Sequence, residues 1–250
     1  MIRLVRAEFL KLRTTQVWFW LLLACIAISG LLIVAQVAPH DGVRHASDVP
    51  DMFSSAATAD IAVFILGVLG VTTEFRYQTI TATVLATPSR WALVTAKMIA
   101  YAVLGVAYAL VAVATQLAVA LPWLSSKNVS VSFSDPKVVH AIVGVFAVVA
   151  LYGIVGLGVG ALLRNQIVAV TLGVIFLLIL ENILLAIPVV KHAWPFTPGG
   201  ASNAILNTGS DNTVNGAHLL STPGGVIVLL LWAFVPAIIG AAFSMNRDIT

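Results

Sequence analysis

Few residues in this 250-residue sequence could do chemistry, and those few lie far apart. Two acids, Asp60 and Glu181, sit inside apolar runs. An ionised group at the centre of a bilayer costs at least about 2.5–3.5 kcal/mol, so an acid kept in such a run is a candidate for handling substrate or protons. The five histidines, His40, His45, His140, His192 and His218, are scattered and match no metal-ligand spacing such as HExxH. The single cysteine, Cys25, excludes an intrachain disulfide and a thiolate metal cluster. No GxxxxGK[ST] loop is present to cradle nucleotide phosphates. No nucleophile and base can be placed at one depth, which disfavours an intramembrane enzyme. Catalytic residues, a metal and a bound cofactor are therefore not expected on this chain.

The elements that must position Asp60 and Glu181 follow from composition. The chain is 60% hydrophobic and 9% charged, with a mean hydropathy of +1.04, whereas a soluble domain carries roughly 25% charged residues. This composition is that of a membrane protein. A crossing needs about 20 apolar residues, and six runs qualify, at roughly 17–37, 55–73, 97–121, 138–163, 167–187 and 223–245. Nothing alternates as barrel strands do, so the runs are helices. The expected fold is all-α: one polytopic domain over 1–250, with six transmembrane helices.

Lys and Arg set the orientation. With the N-terminus in the cytoplasm, Arg3, Arg6, Lys11, Arg13, Arg76, Arg90, Lys97, Arg164 and Arg247 fall inside, and Arg44, Lys127, Lys137 and Lys191 outside. Nine against four supports cytoplasmic N- and C-termini. The net charge of +3 then reflects this bias and not a nucleic-acid partner. Ahead of the first span, Ile2, Val5, Phe9 and Leu12 form an apolar stripe beside Arg6 and Arg13, with Leu4 and Leu10 off it. That pattern predicts an interfacial helix over about 1–14. The outer segment 188–222 is rich in Pro, Gly, Asn and Ser and is expected to form turns, with "ASNAIL" making only a short helix.

One polar insert stands out between the second and third spans. Residues 72–97 read "TTEFRYQTITATVLATPSRWALVTAK", with Glu74, Arg76, Arg90 and Lys97 around "TITATVLA". Pro88 disfavours helical geometry at Thr87, so the insert predicts one or two helical turns stopped before the next span. Glu74-x-Arg76, Thr79-Ile80, Leu85 to Pro88 with Arg90, and Lys97 resemble the cytoplasmic segment after the second helix of ABC-2 type transporter permeases. Gln78 stands where that family commonly has Gly. The layout of interfacial helix, six spans, long last outer loop and short charged tail is similar over nearly the whole chain.

The resemblance implies the permease subunit of a bacterial ABC exporter in the cell membrane, moving a drug, peptide, lipid or other amphiphile. It implies that Glu74, Arg76, Thr79, Ile80, Val84, Leu85, Pro88 and Arg90 belong to a coupling segment. That segment would dock on a separate cytoplasmic ABC ATPase, which holds the ATP and Mg. A second permease subunit, the same or different, would complete the transporter.

Two further features bear on the transport path. Gly156 and Gly160, with Gly153 one turn earlier, make a flat helix face for an internal or a dimer contact. Asp60 lies about 7 Å and Glu181 about 9 Å from the outer ends of their spans, which allows a shared cavity and a preference for cations. The alternative function is a proton-coupled secondary transporter using this pair. That class places its acids on helices broken by Gly or Pro, and the spans here read as unbroken.

Overall fold

The computed structural model describes residues 1–38, 48–77, 90–127, 129, 131–207 and 212–245. Among the described residues, six helical stretches are long and apolar enough to cross a membrane. A short helix α1, Ile2–Thr14, precedes α2, Val17–Val37. The second crossing is composite: α3, Val49–Ser54, passes through a 3-10 turn, Ser55–Thr58, into α4, Ala59–Arg76. It is longer than the 55–73 read from hydropathy, because Val49, Met52 and Phe53 pack inside although polar residues flank them.

The third crossing, α5, runs Arg90–Ser126, with Pro122 inside it near its end. The apolar run places the start of this span at Lys97, yet no helix breaker separates Trp91 from Lys97, so the helix begins about two turns earlier. Next, α6 covers Pro136–Leu163. Pro136 needs no N–H partner at the first helical position, and the Asp135 side chain accepts from Lys137 N–H. At its other end Arg164 turns left-handed, with φ of 52°. Asn165 then caps α7, Gln166–Ile175, by accepting from the N–H groups of Ile167 and Val168. Two residues thus reverse the chain.

A π-helical turn, Phe176–Leu180, joins α7 to α8, Glu181–Ala186. Beyond it lie a 3-10 turn, Lys191–Phe196, helix α9, Pro198–Leu206, a hairpin of β1, Thr213–Val214, with β2, Ala217–His218, and the last crossing α10, Thr222–Met245. The segment expected to be mostly turns therefore carries a nine-residue helix. Six of its residues, Pro198, Gly200, Ala201, Ser202, Ala204 and Ile205, are buried. Gly225 of α10 lets α9 approach closely, since a Cβ there would meet the Ala201 carbonyl at 2.7 Å.

At the centre, the α3–α4 crossing and α6 bury 56% and 61% of their apolar stretches, against 17% for α2 and 22% for the α7–α8 crossing. Lipid offers no hydrophobic gain for helix pairing, so close van der Waals fit must supply it. Gly156 of α6 sits against the Phe64 backbone of α4, and Gly160 against Val68. Gly67 of α4 returns the contact, facing Gly153 and Leu157, while Gly153 also meets the Tyr101 carbonyl of α5. The glycine face read as an internal or dimer contact is thus occupied within the chain.

Candidate functional site

The first polar constellation lies at the end of the bundle that holds α1. Lys97 of α5 is buried, and its Nζ donates to Glu8 Oε2 of α1 at 2.9 Å, Glu74 Oε1 of α4 at 2.8 Å and the Gly70 carbonyl at 3.2 Å. Lys11 closes the set, with Nζ 2.9 Å from Glu8 Oε1 and 2.6 Å from Glu74 Oε1. The side chains of Glu8, Glu74 and Lys97 are 4%, 7% and 7% exposed, and that of Lys11 is 47% exposed. Two acids and two bases balance, and Lys97 supplies three donors to three oxygens. Burial alone would lower the Lys11 pKa, but the hydrogen bonds to Glu74 and Glu8 outweigh it and hold the group above its ordinary 10.5. Its contribution to docking α1 is complete below that pH and lost as pH rises through the folded value.

These contacts revise the reading of α1 and of Glu74. The stripe of α1 is Leu4, Val5, Glu8, Phe9 and Leu12, so Leu4 joins it and Ile2, which is exposed, leaves it. Arg6 and Arg13 are exposed on the other side. Glu74 is no free surface charge on the insert, because it is buried beneath two lysines. Arg76, by contrast, is exposed, with Nη1 3.3 Å from Gln166 Oε1. Thr79, Ile80, Val84, Leu85 and Pro88 lie outside the described residues, and Arg90 is described as the first residue of α5 only.

At the opposite end, a cavity of about 490 Å³ brings Asp60 and Glu181 together. Tyr152 of α6, Leu177 of the π-turn, Trp194 of the 3-10 turn and Ser202 of α9 share its wall. Each acid stands where regular α-helix is interrupted: Asp60 is the second residue after the 3-10 turn, and Glu181 the first after the π-turn. The reading of both spans as unbroken is corrected here. A π-turn needs no Gly or Pro to mark it, and such turns recur at functional sites.

Glu181 is held by α9. Thr197 caps that helix, accepting from Gly200 N–H, and Pro198 follows at the first helical position. Gly199 N–H, one of the unpaired donors of the first turn, reaches Glu181 Oε1 at 3.0 Å. Ser202 donates to the Pro198 carbonyl at 2.7 Å and lies 3.3 Å from Tyr152 Oη, tying α9 to α6. The Thr197-Pro198 start was a legible helix signal; the acid that completes the cap was not. Asp60 accepts from its neighbour Ile61 N–H at 2.6 Å. Among the described residues, no group of three His, Cys, Asp or Glu could hold a metal ion.

A sequence model of the family described as ABC-2 family transporter protein matches residues 4–180, from α1 through the π-turn. No curated protein matches this sequence.

Proposed function

The chain belongs to the ABC-2 transporter family, and from that premise we propose that it is the permease subunit of an ATP-driven exporter, coupled through residues 78–89 to a separate cytoplasmic ABC ATPase. The end carrying α1 and the insert faces the cytoplasm in this reading, in keeping with the distribution of Lys and Arg. The cavity between Asp60 and Glu181 then opens towards the outer side and forms part of the substrate pathway. A second permease subunit completes the transporter in a bacterial cell membrane.

The observation that carries the coupling role is the Lys97 cluster. The insert joins α4 to α5, and Lys97 fastens the neighbouring ends of both helices to α1. A push on the insert by a partner would reach three helices as one unit. An ordinary solvated loop would not need its two flanking helices clamped by a buried ion cluster.

Two experiments test this reading. The purified chain alone should hydrolyse no ATP, since it lacks a phosphate-binding loop, and should support turnover only with a separate ATPase subunit. Robust turnover by the clean single polypeptide rules the proposal out. Replacing Val84 and Leu85 by Asp should weaken capture of that ATPase at least about tenfold, because charged groups would enter an apolar docking contact. Six-span assembly should persist, measured by an unchanged thermal unfolding midpoint. Full capture and transport in the double variant would reduce the insert to a loop.

A proton-coupled secondary transporter is the second reading, and the interrupted helices beside Asp60 and Glu181 favour it more than the sequence did. The two are separated by energy source. Transport driven by a proton gradient without any ATPase would select the second.

A further inference from the structure

We infer that the cavity between Asp60 and Glu181 is a binding site for an organic monocation, with the charged head between the two carboxylates and the apolar body against Trp194 and Leu177. The inference names a substrate class for the permease reading and rests on it. Its volume of about 490 Å³ falls within the range of small-molecule sites, roughly 300–1,000 Å³. Among the described residues that line it, Asp60 and Glu181 face the cavity and no Lys, Arg or His does.

Neither Asp60 nor Glu181 forms an ion pair among the described residues, in contrast to Glu8 and Glu74 at the other end, each held by lysines. The N–H groups of Ile61 and Gly199 hydrogen-bond to Asp60 and Glu181 and fix the carboxylates in place without adding a full positive charge. Glu181 is only 5% exposed, so solvent screening of its charge is slight. Behind the wall, Gln116 is fully buried, and its Nε2 donates to Ser55 Oγ, a lining group, at 2.7 Å.

The rest of the lining distinguishes an organic cation from a bare metal ion. Ile61, Leu177 and Leu219 give the cavity apolar walls, and Trp194 adds an indole that can accept a cation on its face. A tightly held metal ion is ordinarily gathered by several anionic or imidazole ligands, and among the described residues no group of three His, Cys, Asp or Glu could hold one. An alkylammonium group needs less: one or two anions, apolar surface and an aromatic ring.

The test uses phenyltrimethylammonium and tert-butylbenzene, which have the same shape and differ in charge. Binding of each to the purified permease in lipid nanodiscs is measured by equilibrium dialysis, corrected for empty nanodiscs. The cation should bind at least about tenfold more tightly than its neutral twin. Asp60→Asn and Glu181→Gln should each lose most of that preference while leaving tert-butylbenzene unchanged. Both substitutions keep an oxygen for the Ile61 or Gly199 N–H, so the fold is retained, and an unchanged unfolding midpoint checks this. Equal binding of the two probes, a preference unaffected by either substitution, or displacement of the cation by equimolar sodium would each overturn the inference. No ATPase is present, so charge-selective binding without ATP-driven transport defeats only the permease reading. ATP-driven transport without charge-selective binding defeats only this one.

Discussion

Replacing Lys97 by Met should destabilise the protein by about 3–5 kcal/mol, the cost of leaving buried charges unpartnered. The substitution keeps a long apolar stem and removes three hydrogen bonds, leaving Glu8 and Glu74 to share the half-exposed Lys11. The measurement is thermal unfolding of the purified protein in detergent, with release of α1 followed by protease access near Thr15. Lys11→Ala is the control: an ion pair made by a half-exposed lysine contributes about 0–1 kcal/mol. Converting Glu8 and Glu74 to Gln as well as Lys97 to Met should recover much of the loss, since the charges go together. A loss under about 1 kcal/mol for Lys97→Met would mean that the cluster is solvated and does not clamp the three helices.

Gly156→Ala should cost about 1–3 kcal/mol, and Gly156→Leu more, although alanine is ordinarily the better helix former by about 1 kcal/mol. The added carbon would meet the Phe64 carbonyl of α4, which is backbone and cannot rotate away. Gly30→Ala supplies the contrast. There the nearest atom is the Thr115 methyl at 3.8 Å, an ordinary contact, so the change should be neutral or stabilising by up to about 1 kcal/mol. Unfolding midpoints of the two variants in one detergent decide the matter. The same shift in both would show that α4 and α6 do not meet as closely as the glycines require.

How much of this was legible in the sequence depends on the range of the interaction. The six crossings follow from unbroken apolarity, a local property, and their centres agree with the sequence reading. Their ends were less legible, because Met52 is held in helix by tertiary packing and the polar residues between Trp91 and Lys97 interrupt the apolar run without breaking the helix. The polar sites divide in the same way. The insert drew its expected role from a family resemblance, and residues 78–89 lie outside the described residues. The pairing of Lys97 with Glu8, 89 residues away, leaves no trace in one sequence. Glu74 therefore read only as part of the insert, and its contacts with Lys11 and Lys97 were not foreseen. The common depth of Asp60 and Glu181 was countable at about 1.5 Å per residue, and their cavity is consistent with that count. The π-turn beside Glu181 was invisible, since "FLLIL" carries no residue that demands it.

The Lys97 cluster also imposes an order of events during synthesis. Glu8 is made first, Glu74 later, and Lys97 only 89 residues after the first acid and 23 after the second. At about 5–20 residues per second, Glu8 waits roughly 4–18 s for its main partner and Glu74 roughly 1–5 s. Until then the half-exposed Lys11 is the one lysine of the cluster that Glu8 and Glu74 can share. The arrival of a single lysine ends both waits at once, so α1, made before α4 and α5, takes its final place only after both of them have been translated this far.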